Sequence, residues 1–259
     1  MRLDKQWIPM PCLGDAHTHI DHDEPAFGAV RAFLRYLKPD KGLLTGDMWG
    51  ASNFGKFKGR ADPLTRLRSG REIITAREIL RYYIFDACAS TEWDVVSSNH
   101  EDRLSKDIWA LNPELWTIED IRKSASIPEL LGYREAGAHY HEGIFNPRPW
   151  LVCQHGEAVR KWAGMTVKAE MLERIGTFLI MGHTHRMCVW PVTLATGTMV
   201  GCECGHLGKN PPDYNKGKVQ DWQQGIVVAW LHKTKAQVRF ETCPIEDGIL
   251  WWRGMEFSA

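Results

Sequence analysis

Five short clusters of acidic, amide and imidazole residues punctuate this chain: Asp15-x-His17, Gly46-Asp47, Asn99-His100-Glu101, His155-Gly156 and Gly182-His183-Thr184-His185. Each follows an apolar run of strand length: Ile8 to Leu13, Gly42 to Thr45, Trp93 to Ser97, Trp150 to Gln154 and Phe178 to Met181. A single histidine or aspartate is readily explained as a cap, a turn or a satisfied core group. Metal-ligand residue types recurring at the ends of five successive strands are hard to explain by packing, and they constrain the fold to one that gathers strand ends at a common site.

Between these runs, Pro25 to Leu37, Arg71 to Ala87 and Thr166 to Ile175 carry apolar residues at helical spacing. The first two-thirds therefore reads as β-α-β units forming a mainly parallel sheet, an α/β pattern in which ligands sit beyond the carboxyl ends of strands. After His185 come Met187 to Leu194, Thr198 to Cys202, Gly225 to His232 and Gln237 to Thr242. With tight connections and no long helix between them, these predict a second, antiparallel sheet, giving an α+β character overall. At 259 residues the chain reads as one domain, 1–259, with an insertion near 101–149.

Hydrolysis of a phosphoester calls for two divalent cations ~3.5–4 Å apart that polarise the phosphoryl group and activate water, with a carboxylate between them. Asp47 is the natural bridge. Asp15 and His17, two apart on extended chain, project to one side and suit one ion; Asn99 and His155 suit the other. His183 and His185, again two apart, could each serve one. Mixed imidazole and oxygen donors favour manganese, iron, zinc or nickel, with manganese foremost, over calcium or magnesium alone.

The order Asp-x-His, Gly-Asp, Asn-His-Glu, His and Gly-His-Thr-His resembles that of the calcineurin-like metallophosphoesterase superfamily across residues 12 to 205. His155-Gly156 through Lys161-Trp162-Ala163-Gly164 to Gly182-His183-Thr184-His185-Arg186, together with Asp221-Trp222-Gln223-Gln224-Gly225, is similar to small metallophosphoesterases of bacteriophages. The resemblance implies a four-layer β-sandwich flanked by helices. It also implies one metal on Asp15, His17, Asp47 and His185 and a second on Asp47, Asn99, His155 and His183. His100 would be a non-ligand acid for the leaving group, and attack on phosphorus would come from a metal-bound hydroxide without a covalent enzyme intermediate. Two positions depart from the pattern: Ser98 replaces the glycine before Asn99, and Gly50 stands where a carboxylate usually orients the histidine.

Competing readings attach to particular residues. Asp15-Ala16-His17-Thr18-His19 also opens like a barrel amidohydrolase, although the strand-rich final third argues against eight β-α units. His19, Asp21, His22 and Asp23 read as turn or site-mouth residues. Cys202-x-Cys204-x-His206 with Cys188 invites a zinc site, but the spacing is too tight and a second half is missing; His206 could instead line the pocket. His139 and His141 are expected to face solvent, with a role at the substrate's edge as the alternative. Phe54 to Arg71 is rich in Lys and Arg, and Trp109, Trp116 and Tyr133 in the insertion could stack on bases, which keeps a nucleotide or nucleic-acid substrate open. A non-catalytic binding module on the same scaffold remains a further alternative.

Charge balances, with 32 basic and 32 acidic residues, so the chain lacks the signature of a nucleic-acid coat or a membrane-surface protein. The absence of an apolar leader or a ~20-residue apolar run, with seven irregularly spaced cysteines, points to the cytoplasm, that of the host if phage-encoded. The sequence leaves the oligomeric state open.

Overall fold

A computed structural model describes residues 5–18, 22–51, 54, 69–174, 176–195, 197–211 and 220–259. His19, Asp21 and nearly all of the basic stretch from Phe54 to Arg71 lie outside the described residues, as does the side chain of Trp116.

Strands β1 (Trp7–Leu13), β2 (Lys41–Leu44), β3 (Glu92–Val96) and β4 (His139–His141) run parallel. Between β1 and β2 lies α1 (Glu24–Leu37); between β2 and β3 lies α2 (Ser69–Leu80), extended by a wider π-type turn over Arg81–Phe85. Four short helices, α3 (Asp102–Leu111), α4 (Pro113–Thr117), α5 (Glu119–Ser124) and α6 (Ile127–Leu130), precede β4. Then follow β5 (Phe145–Arg148), β6 (Leu151–Gln154), α7 (Met165–Glu173), β7 (Phe178–Met181), β8 (Met187–Leu194) and β9 (Gly197–Cys204). The chain closes with β10 (Gly225–His232), β11 (Val238–Glu246), β12 (Ile249–Trp252) and β13 (Met255–Phe257).

Two sheets form, ordered β13-β12-β11-β10-β1-β2-β3-β4 and β5-β6-β7-β9-β8. The expectation of one parallel sheet followed by one antiparallel sheet is corrected here. Both sheets are mixed, and the second begins at β5. The late strands divide between them: β8 and β9 join β7, whereas β10 crosses back to pair antiparallel with β1. Periodicity identifies strands but carries no information about partners, and β10 is buried at all eight positions, as a central strand covered on both faces must be. Two open sheets also remove the barrel reading.

Layering follows from which faces are apolar. Met10, Cys12, Leu43, Val96, Val227 and Ala229 of the first sheet meet Leu151, Cys153, Ile180, Cys202 and Cys204 of the second in a buried apolar interior. On the outer face of the first sheet, Phe27, Val30, Phe33 and Leu34 of α1 bury against Leu13, Val228, Leu250 and Trp252, each large side chain contributing ~2 kcal/mol. Helix α1 begins where Asp23 accepts the Ala26 N–H (3.2 Å) and ends at Lys38 in the left-handed conformation. On the outer face of the second sheet, Val167 and Met171 of α7 pack on Leu179, Met181 and Val192. Helix, sheet, sheet, helix is the expected four-layer sandwich. None of the described helices is long and apolar enough to cross a membrane.

Helix α7 has Gly164 at its N-cap and no capping side chain there. The fully buried carboxylate of Glu203 on β9 substitutes, accepting the Val167 N–H (3.2 Å) and the Thr184 hydroxyl (3.2 Å). It thereby ties the helix start to the Gly-His-Thr-His loop. Glu203→Ala is expected to cost about 2 kcal/mol, read as a lower urea midpoint at unchanged slope.

Candidate metal centre

Asp15, His17, Asp47, His183 and His185 all have positive φ, between 43° and 69°. Left-handed backbone costs a non-glycine residue roughly 1–2 kcal/mol; five such residues at one place mark a site held in shape by its surroundings. That support is visible. The Asp15, His17 and Thr18 amides donate to the Gly46, Asp47 and Met48 carbonyls at 3.0 Å, lacing the loop after β1 to the loop after β2. Gly182 is required by close approach, since a Cβ there would lie 2.8 Å from Thr45 Oγ1 and 2.9 Å from Asp15 Oδ2.

The side chains converge in two groups. In the first, His17 Nε2 and His185 Nε2 are 3.0 Å apart and Asp15 Oδ1 lies 3.4 Å from His185 Nε2. In the second, His155 Nε2 lies 2.8 Å from Asn99 Oδ1, 3.2 Å from Asp47 Oδ2 and 3.2 Å from His183 Nδ1. Asp47 also joins His17 and His100 in a third group, so it stands between the other two. All seven residues expected as ligands are therefore brought together.

The outward-facing ring nitrogens show what these groups are built to hold. His155 Nδ1–H donates to the Thr45 carbonyl (2.8 Å), and His183 Nε2–H donates to the Glu157 carbonyl (3.1 Å). In the neutral rings, the inward nitrogens are then lone pairs pointed at carboxylate and amide oxygens. Acceptors packed against acceptors repel unless a proton or a metal cation lies among them, and Asp15 Oδ1 is buried with no hydrogen-bond partner among the described residues. The donor set thus fits divalent cations of the imidazole-and-oxygen class.

The field within the site agrees. Burial, reinforced by the His185 charge, pushes His17 down to about 3 and keeps it neutral. Burial opposes ionisation of Asp47, yet His155, His100 and His17 together hold its carboxyl well below the usual range. At His155 burial is overridden by the Asp47 charge, and the ring is pushed up to about 9.

His100 lies beside the ligands, its amide donating to Asp47 Oδ1 (3.0 Å) and its Nε2 lying 3.8 Å from Asp47 Oδ2. The missing orienting carboxylate has a substitute from the same position. His100 Nδ1–H donates to the backbone carbonyl of Gly50 (2.9 Å), which fixes the ring without an acid. Asp102 pairs instead with Lys106 (3.3 Å). Glu101 turns inward to accept from Tyr133 (3.2 Å), and burial pushes it up to about 8.

Other expectations separate clearly. Cys202 and Cys204 face the intersheet core while His206 stacks on His185 at 5.4 Å, so the zinc reading divides into two unrelated places. His22 and Asp23 precede α1, with Asp23 as its cap, and neither joins a ligand group. Tyr133 is fully buried and unavailable to a base, whereas Trp109 is exposed. His139 is exposed as expected; His141 is not free, because its Nε2–H donates to buried Asp94 (2.7 Å) and its ring stacks on Phe145.

Two contributors had no role assigned from sequence. Trp222 packs against His185 at 4.3 Å. Arg186, nearly buried, donates to the carbonyls of Arg160 (2.6 Å), Lys161 (3.2 Å) and Asp221 (3.2 Å). It clamps the loop whose Glu157 carbonyl orients His183 to the loop whose Trp222 covers His185. Arg186→Met is expected to weaken manganese affinity about 10–100-fold, measured by calorimetric titration.

No family model matches the chain. The gene 54 protein of Mycobacterium phage L5 is 24% identical over 254 residues, covering 91% of this chain and 93% of the relative. Its namesake from Mycobacterium phage D29 is 23% identical over 254 residues with the same coverage. Among solved structures, a predicted phosphoesterase from Streptococcus pneumoniae TIGR4 is similar at 12% identity and a TM-score of 0.39, covering 98% of each chain. Chaetomium thermophilum Vps29 is similar at 11% identity and 0.39, covering 92% of this chain and 97% of that one. The helix-flanked pair of sheets is the fold that the resemblance to calcineurin-like metallophosphoesterases implies.

Proposed function

We propose that this protein is a dinuclear-metal phosphoesterase. One cation is held by Asp15, His17, Asp47 and His185 and the other by Asp47, Asn99, His155 and His183, with manganese the preferred ion. The observation that carries the reading is the convergence of inward lone pairs and carboxylate oxygens around Asp47, with the opposite ring nitrogens of His155 and His183 fixed by backbone carbonyls. When bound, such cations polarise the phosphoryl oxygens and make water a competent nucleophile near neutral pH.

The chain's own groups do the rest. Asp47 offers Oδ2 toward the second group while its Oδ1 is occupied by the His100 amide, which keeps the carboxylate from rotating. His100, oriented by Gly50, delivers a proton from Nε2 to the departing oxygen when the ring is protonated. The substrate is a phosphomonoester or phosphodiester of a nucleotide or nucleic acid, and the setting is the cytoplasm, that of an infected host if a phage expresses it.

The test is hydrolysis of bis-p-nitrophenyl phosphate and p-nitrophenyl phosphate by metal-stripped protein titrated with manganese, nickel, zinc and magnesium. Turnover that requires metal and disappears in His183→Ala supports the reading, and the ratio of the two rates separates diesterase from monoesterase. Bound metal without turnover on either ester would replace the enzyme with a binding module.

A further inference from the structure

A cavity of about 1450 Å³ opens beside Asn99, His155 and Glu157 and extends along the inner wall of helices α3, α5 and α6. Small-molecule sites run to roughly 300–1,000 Å³, so this groove exceeds what a single nucleotide or a simple phosphomonoester needs. Its contents decide what it suits. Lys106 and Arg174 line it but are matched there by Asp102 and Glu170, which also line it. Arg122, Lys123 and Arg134 differ. Lys123 and Arg134 lean on Glu119 and Glu129, which lie outside the groove, at 2.6 and 3.9 Å, and Arg122 has no acidic partner among the described residues. Exposed pairs of this kind are worth ~0–1 kcal/mol, so these cations can turn to a ligand at little cost. Elsewhere in the groove His141 is held by Asp94, Tyr140 and Ile144 present a ring and an apolar surface, and Glu142 and Glu157 add two carboxylates.

We propose that this groove binds a single-stranded oligonucleotide leading away from the metal centre, with Arg122, Lys123 and Arg134 contacting phosphates beyond the scissile one. The inference rests on the phosphoesterase reading for the scissile end and assigns the substrate class. Cations grouped on one wall, with hydroxyl, ring and apolar groups elsewhere in the same groove, match a repeating anionic backbone that carries bases. A phosphopeptide would present one phosphate and leave the insertion wall unused.

The test is fluorescence anisotropy of a fluorescein-labelled twelve-nucleotide oligothymidylate with metal-free protein in EDTA, where no cleavage occurs. Binding is expected, with log Kd rising against log salt at a slope of about 2, the value for three phosphate contacts on a single strand. Combined Arg122→Glu, Lys123→Glu and Arg134→Glu should weaken it at least about tenfold and flatten the slope; Arg122→Glu alone should give a smaller change in the same direction. Absence of binding, binding insensitive to both variants, or equal displacement by a phosphoserine peptide would overturn the proposal. Because the assay needs neither metal nor turnover, its failure is distinct from failure of the phosphoesterase reading, which the nitrophenyl esters report.

Discussion

Asp47→Asn is expected to reduce metal-dependent hydrolysis of bis-p-nitrophenyl phosphate by about a thousandfold or more. The substitution is nearly isosteric, and an amide oxygen in place of Oδ1 can still accept the His100 amide, so the loop after β2 keeps its anchor. What disappears is the negative charge standing between the two ligand groups, among the described residues the only carboxylate common to the groups around His17 and around His155. Two cations at that spacing repel unless a carboxylate lies between them. The loss should therefore appear as lower metal stoichiometry together with lower kcat, at a melting temperature close to that of the parent. Retention of most activity would mean that the groups around Asp15 and His155 work independently.

The second large effect is expected at His100. His100→Asn should lower kcat by about 10²–10⁴ on an ester with an alkoxide leaving group and far less on a p-nitrophenyl ester, because p-nitrophenolate departs without needing a proton. The ring is positioned for this by the Gly50 carbonyl at Nδ1, which leaves Nε2 facing the site. Burial pushes His100 below its ordinary value, although the Asp47 charge opposes the shift. Rates on alkyl and nitrophenyl esters, each for parent and variant, separate this role from a positioning one. Equal losses on both would make His100 a holder of Asp47 rather than an acid.

The seven candidate ligands were legible in the sequence because their chemistry is written in side chains and their spacing in strand length. Asp15 and His17, two apart, and His183 and His185, two apart, each reach the site from one strand end; the accompanying Gly182 is explained by its closeness to Asp15 and Thr45. Hidden features are those the backbone supplies. The orienting partner of His100 is the backbone carbonyl of Gly50, a group present at every position and so invisible in a pattern of side chains. Glu203 and Arg186 read as ordinary charged residues until burial shows each tying loops around the last motif. Strand partners were equally hidden: nothing in the Gly225 to His232 run says that it pairs with β1, about sevenfold farther away in sequence than β2. Tyr133 shows the same limit for aromatics, since an exposed stacking ring and a buried ring bonded to Glu101 look alike as letters.

Anomalous diffraction from manganese-soaked crystals measures directly whether Asp47 stands between two metal ions. Two peaks ~3.5–4 Å apart are expected, one against Asp15, His17 and His185, the other against Asn99, His155 and His183, with Asp47 touching both. A single peak, or peaks that leave Asp47 unligated, would contradict that placement.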